Sequence, residues 1–96
     1  MKKITRADLA GFGEDTRLVL GGRDPASFHG FVNPPVYHGS TVLAQTVEEL
    51  TGRRQRYVYA RRGTPTSDAF EEAMRGLEGG AGVVLCPSGL SAASTA

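Results

Sequence analysis

The chain has 96 residues, 11 of them basic and 10 acidic, for a net charge of +1. That length holds no more than one complete domain of about 100–200 residues, and the near-neutral balance gives no global drive toward nucleic-acid backbones or anionic membranes. With 40% hydrophobic and 22% charged residues the composition is that of a folded chain, and it holds no apolar run of about 18 residues that could span a bilayer.

Lys2 and Lys3 are followed by Asp8, Glu14 and Asp15 with no apolar stretch between them, so a secretory leader is not expected. Two short helical pieces are predicted, Thr5 to Ala10 and Asp15 to Leu20. The second is stopped by Gly21-Gly22, where glycine takes the left-handed C-cap conformation cheaply, and neither piece buries much. Three prolines, both histidines and three aromatics crowd Arg23 to Gly39, and Pro34-Pro35 forces Asn33 and Pro34 out of the helical region. This stretch reads as an extended arm. Thr46-Val47-Glu48-Glu49 matches a capping box for a helix of one or two turns ending near Gly52.

The clearest helix follows Thr64-Pro65-Thr66, with Thr66 or Ser67 as N-cap. Phe70, Ala73, Met74 and Leu77 form its apolar stripe, and Glu71 and Arg75 make an i,i+4 pair on the other side. Gly79-Gly80 ends it. Ala81 to Cys86 is a continuous apolar run of strand length, and a strand apolar on both faces belongs inside a helix-covered parallel sheet. Pro87-Ser88-Gly89 then turns the chain into a further helix from Leu90. The expected class is therefore α/β, and the strands that should flank Val83-Val84-Leu85 are not in the chain, which reads as incomplete.

Two segments carry possible chemistry. At Pro87-Ser88-Gly89-Leu90 a strand end meets a helix start, where unpaired N–H groups and the positive end of the helix attract anions; a tight turn without a ligand is the plain alternative. Arg53 to Arg62 holds five of the nine arginines and no acid. If it is extended, Tyr57, Tyr59 and Arg61 share one face and Arg62 points the other way. Arginine forks and tyrosine hydroxyls suit a phosphate or carboxylate. The same composition also fits a solvated basic loop, or a small nucleic-acid-binding module that stacks single strands.

Other candidates are weaker. His29 and His38 have no ligand-spaced partners and read as structural. Cys86, with no basic neighbour in sequence, reads as an inert buried thiol. As the single cysteine it cannot form an internal disulfide, which fits a reducing, cytoplasmic compartment. Ser88 lacks the flanking glycines of a hydrolase elbow.

Taken in order, Gly30-Phe31-Val32-Asn33-Pro34-Pro35-Val36-Tyr37, Ser40-Thr41, Tyr59-Ala60-Arg61-Arg62-Gly63-Thr64-Pro65-Thr66, Leu77-Glu78-Gly79-Gly80 and Ser88-Gly89-Leu90 resemble the opening of the Cys/Met-metabolism family of pyridoxal-phosphate enzymes, over about Asp15 to Ala96. The resemblance implies a fold type I, aminotransferase-like subunit in a homotetramer of catalytic dimers. Residues 1–63 would be an arm reaching the neighbouring subunit and residues 64–96 the start of the cofactor domain. It implies that Tyr59 and Arg61 contact the neighbour's cofactor phosphate, while the N–H groups of Gly89 and Leu90 hold that of their own subunit. The doubled arginine is similar to the beta-lyase branch, since gamma-specific relatives commonly carry a small residue at the position of Arg62. In that branch Arg62 lies near the distal carboxylate of the substrate, and the Tyr59 hydroxyl lies close to the substrate amine, where it can help accept its proton. The implied reaction is alpha,beta-elimination of L-cystathionine to homocysteine, pyruvate and ammonia, with gamma-lyases and gamma-synthases as the alternative within the family. The lysine that holds the cofactor covalently would lie downstream, since Lys2 and Lys3 are the only lysines. By itself this stretch would be catalytically inert.

Overall fold

A computed structural model describes residues 5–52 and 54–96; Lys2, Lys3 and Arg53 lie outside the described residues. Helix α1, Arg6–Ala10, is opened by a capping box. The Thr5 hydroxyl accepts from the Asp8 N–H at 3.2 Å and the Asp8 carboxylate accepts from the Thr5 N–H at 2.9 Å. Helix α2, Glu14–Leu20, starts on two acids that complement its dipole. The expected glycine stop is present with its roles shifted by one residue. Gly21 is extended, and Gly22 takes the left-handed conformation at φ 76°.

Gly22 has a second reason to be glycine. A Cβ there would lie 2.4 Å from the Ala69 carbonyl oxygen and 3.2 Å from the Ala73 Cβ, both on helix α4, Pro65–Glu78. This close approach is the main packing between helices. Gly22→Ala combines backbone strain with overpacking and is expected to cost about 2–4 kcal/mol. Urea unfolding of the full-length protein checks this. Gly76→Ala is the control, because a Cβ there meets nothing within 4 Å and a mid-helix alanine should stabilise.

The arm is less uniformly extended than its prolines suggest. Pro25–Phe28 forms a 3-10 turn closed by His29 in the left-handed region at φ 57°, and only after Gly30 does the chain straighten. Thr66 in the first turn of α4 holds the straight part. Its hydroxyl donates to the Pro35 carbonyl at 2.7 Å and accepts from the Tyr37 N–H at 2.8 Å. Phe28 meets Tyr37 edge to face with ring centroids 6.5 Å apart. Thr66→Val removes both hydrogen bonds at constant shape. It is expected to cost about 1–2 kcal/mol locally, read as faster exchange of the Tyr37 amide in the full-length protein.

Helix α3, Val47–Gly52, forms where expected and ends at Gly52. The Thr46 hydroxyl accepts from the Glu49 N–H at 3.1 Å, while the Glu49 carboxylate reaches one residue further back than a standard box, to the Gln45 N–H at 3.0 Å.

Helix α4 begins two to three residues earlier than the sequence reading. Thr64, not Thr66 or Ser67, is its N-cap, with Pro65 at the first position, where no N–H is needed. The Thr64 hydroxyl accepts from the Ser67 N–H at 3.2 Å, and the Ser67 hydroxyl returns to the Thr64 N–H at 3.0 Å. Its face toward α2 is built from Ala69 and Ala73, and Phe70 from the expected stripe is 53% exposed. Arg75 pairs with Glu72 at 4.0 Å rather than with Glu71. Gly79 ends the helix in the left-handed conformation, its N–H donating to Arg75.

Residues 82–86 run without regular structure or ladder partner, so the expected strand is not formed among the described residues. Its apolar side chains have no sheet to enter, and Val84 is 74% exposed. Cys86 is half-buried rather than buried, its Sγ 3.8 Å from Thr95 Oγ1. Helix α5, Gly89–Thr95, follows, N-capped by Ser88, whose hydroxyl accepts from the Ser91 N–H at 3.1 Å.

No described residue is fully buried. The accessible surface is 7597 Å², against about 5300 Å² for a compact monomer of this mass. The radius of gyration is 15.6 Å, against about 13 Å for a compact domain of this length.

Candidate functional site

The basic segment divides at Tyr59. Before that residue the chain bends at Gln55, Arg56 and Val58; Tyr59 itself is extended, at φ −163° and ψ 133°, and an isolated antiparallel bridge joins it to Thr41. The Ala60 N–H donates to the Ser40 carbonyl at 2.9 Å. From Ala60 to Arg62 the backbone winds into a 3-10 turn, closed by N–H donation from Arg62 to Tyr59 at 2.9 Å and from Gly63 to Ala60 at 3.2 Å. Gly63 leaves the turn at φ 150°, a region that favours glycine, and feeds directly into the Thr64 cap.

This turn corrects the expectation that Tyr57, Tyr59 and Arg61 share one face of an extended strand. Arg61 nevertheless comes back to Tyr59. Its guanidinium carbon sits 5.5 Å from the centre of the Tyr59 ring, a cation–π pairing that holds both side chains together at the surface. Tyr59 is 37% exposed and both arginines are exposed. Among the described residues neither Arg61 nor Arg62 has a carboxylate partner. Two guanidinium groups without carboxylate partners among the described residues, together with one phenol, are suited to holding an anion.

The rest of the segment behaves differently. Arg56 lies 3.0 Å from the Asp68 carboxylate of α4, and the Tyr57 hydroxyl donates to the same oxygen at 2.6 Å. Partial burial and the hydrogen bond to Asp68 push the Tyr57 hydroxyl above its usual range, so it stays a donor at neutral pH. Gln55 is also engaged, its side-chain amide donating to the Leu43 carbonyl at 2.8 Å. Sequence reasoning did not single out Asp68, and it read Thr66 only as a candidate N-cap and part of a motif. The available signals were an acid in the first turn of a helix and a hydroxyl beside it, both of which read as ordinary capping.

Gly89 and Leu90 stand on a separate element, the first turn of α5. Their N–H groups precede the first intrahelical acceptor, and the Ser88 hydroxyl serves only Ser91. Gly89 is open, with nothing within 4 Å of an added Cβ, and Leu90 is 80% exposed. The structure thus brings Tyr59, Arg61 and Arg62 onto one turn and leaves Gly89 and Leu90 as a second donor set. Among the described residues no group of three His, Cys, Asp or Glu side chains is placed to hold a metal, and no helix is long and apolar enough to cross a membrane.

Donors of this kind suit one class of ligand, a phosphorylated or carboxylated small molecule. Comparison with known proteins narrows the class. A family model described as Cys/Met metabolism PLP-dependent enzyme matches residues 15–96, and the chain belongs to that family. A Rhizobium johnstonii protein provisionally named cystathionine beta-lyase is 52% identical over 84 residues, covering 88% of this chain and 21% of the relative. A Saccharomyces cerevisiae protein with the same provisional name is 45% identical over 93 residues, 97% of this chain and 27% of the relative. The cystathionine beta-lyase of Salmonella typhimurium is 39% identical over 83 residues, 81% of this chain and 21% of the relative. The chain therefore spans about a fifth to a quarter of the length of these relatives. Membership implies fold type I and pyridoxal phosphate as cofactor. The donor set fits that cofactor's phosphate, a dianion that guanidinium, phenol and helix-start N–H groups all recognise.

Proposed function

We propose that this chain is the N-terminal part of a carbon–sulfur lyase that converts L-cystathionine and water to homocysteine, pyruvate and ammonia. The observation that carries the reading is the adjacent pair Arg61-Arg62 on one exposed turn, without carboxylate partners among the described residues. One guanidinium serves a cofactor phosphate and the next a substrate carboxylate. The names of the relatives at 45–52% identity support the same reaction.

In this reading residues 1–63 form an arm that reaches a neighbouring subunit, and residues 64–96 open the cofactor domain of an α/β subunit. Residues 82–86 take up their ladder there, between strands contributed by the rest of the protein. Arg61 and the Tyr59 hydroxyl hold the phosphate of the neighbour's cofactor. The N–H groups of Gly89 and Leu90 hold the phosphate in their own subunit, so each site draws on two chains of a homotetramer. Arg62 orients the distal carboxylate of the substrate, and the Tyr59 hydroxyl helps to accept the proton of its amine. When bound, pyridoxal phosphate supplies the electron sink that lets the Cα–H and C–S bonds break. A downstream lysine completes the site, and the protein works in the cytoplasm without nucleic acid or membrane as partner.

A relative named L-methionine gamma-lyase, 34% identical over 97 residues, favours a second reading within the family, gamma-elimination. Assaying the full-length protein with cystathionine separates the two. Pyruvate is the expected product, and 2-oxobutyrate as the main product would overturn the beta-lyase reading.

A further inference from the structure

We propose that Asp68 is a positioning residue for the Tyr59–Arg61 grip, acting through Tyr57 and Arg56. The inference rests on the phosphate-binding reading above and names what sets the aim of those two side chains. Tyr57 stands two residues before Tyr59, across a bend at Val58, so a tether on Tyr57 acts close to the start of the turn. The Tyr57 hydroxyl is fixed 2.6 Å from the Asp68 carboxylate, a short, charge-assisted hydrogen bond, and Arg56 closes on the same oxygen at 3.0 Å. Asp68 itself is held in the first turn of α4, four residues past the Thr64 cap, its N–H donating to the Thr64 carbonyl at 3.0 Å.

The contact from 56 to 68 therefore closes a loop whose two ends rest on α4. Its far side carries Tyr59, Arg61 and Arg62. Three further hydrogen bonds tie that far side, Ala60 to Ser40, Arg62 to Tyr59 and Gly63 to Ala60, and with the Tyr59–Thr41 bridge they fix its backbone. Within this loop, Asp68 is what joins the tyrosine side of the turn to the helix. Without it the turn keeps its shape and loses its orientation toward the phosphate it is meant to meet. A grip that must place a guanidinium fork within hydrogen-bond range of a partner chain's ligand is sensitive to that orientation.

The test uses the full-length protein stripped of cofactor and titrated with pyridoxal phosphate, read by absorbance of the bound cofactor and by the phosphorus-31 shift of its phosphate. Tyr57→Phe and Asp68→Asn are each expected to weaken cofactor binding about tenfold and to move the phosphorus signal. The double variant should be no worse than the weaker single, because both act through one contact. Thermal melting of the apoprotein accompanies each titration. A lower melting point with unchanged affinity and unchanged phosphorus shift would mean a purely structural role and overturns the proposal. If Asp68→Asn fails to fold, Tyr57→Phe, which removes a single hydroxyl, decides alone. Arg61→Ala is the reference. If it weakens binding while Tyr57→Phe and Asp68→Asn do not, the positioning role falls and the phosphate reading stands. If Arg61→Ala leaves affinity intact, the phosphate reading falls and the positioning role falls with it.

Discussion

Residues 1–96 prepared by themselves are expected to melt without a cooperative transition. Burial of apolar surface is the main favourable term in folding, worth about 25 cal/mol per Å², and here no described side chain is fully buried. Phe31, Val36, Leu43 and Leu90 all stand more than half exposed. Against this, each ordered residue costs about 1–2 kcal/mol of backbone entropy. Hydrogen-bonded caps such as Thr5 with Asp8 and Thr64 with Ser67 contribute about 1 kcal/mol each and cannot offset that. Circular dichroism should show a shallow, non-sigmoidal loss of helix signal, with α4 the most persistent piece. Calorimetry should show no peak. A sharp transition with an enthalpy near about 65 kcal/mol, as for a compact domain of this length, would mean that the segment finds a core of its own.

Replacing Arg61 in the full-length protein should produce the largest functional loss. In the proposed site, Arg61→Ala removes a charge-assisted, fork-shaped contact to the phosphate, and cofactor affinity is expected to fall about 10- to 100-fold. Arg61→Lys should recover only part of this, because a point charge cannot reproduce the fork. Tyr59→Phe, which keeps the ring beneath Arg61 and deletes one hydroxyl, should lose about tenfold or less. Arg62→Ala is the contrasting case. It should leave cofactor affinity unchanged and raise KM for cystathionine, since the proposed function gives that guanidinium to the substrate. Equilibrium titration of the apoprotein, with steady-state kinetics of the holoenzyme, distinguishes the two neighbours. Equal effects of Arg61→Ala and Arg62→Ala on cofactor binding would remove the division of labour between them.

Local signals in the sequence carried most of the helices and little of what ties them together. The i, i+3, i+4, i+7 pattern from Phe70 to Leu77 announces α4, yet its N-cap falls two to three residues before the expected Thr66 or Ser67, because several hydroxyl residues in a row can cap and Pro65 fits the first position. The pairing of Arg75 with Glu72 rather than Glu71 turns on a choice between two helix faces that periodicity leaves open. Strand character in residues 82–86 is legible in composition, but a ladder needs partners, and no described segment provides one. Tyr59 and Arg61 were visible because a cluster of arginine and tyrosine is unusual in a near-neutral chain, whereas the route by which they meet, through a 3-10 turn, was not. Contacts across 12 and 31 residues, Arg56 with Asp68 and Thr66 with Pro35, leave no periodic trace at all.

The uncovered apolar side chains have a consequence for biosynthesis. With this stretch at the N-terminus of the full-length protein, as proposed, it leaves the ribosome early, and at about 5–20 residues per second the next hundred residues take roughly 5–20 s to follow. Throughout that interval Leu43, Val84 and Leu90 are presented to solvent bare. Nascent chains stalled near this length should therefore be held by chaperones that recognise short hydrophobic stretches, and released once the downstream strands arrive.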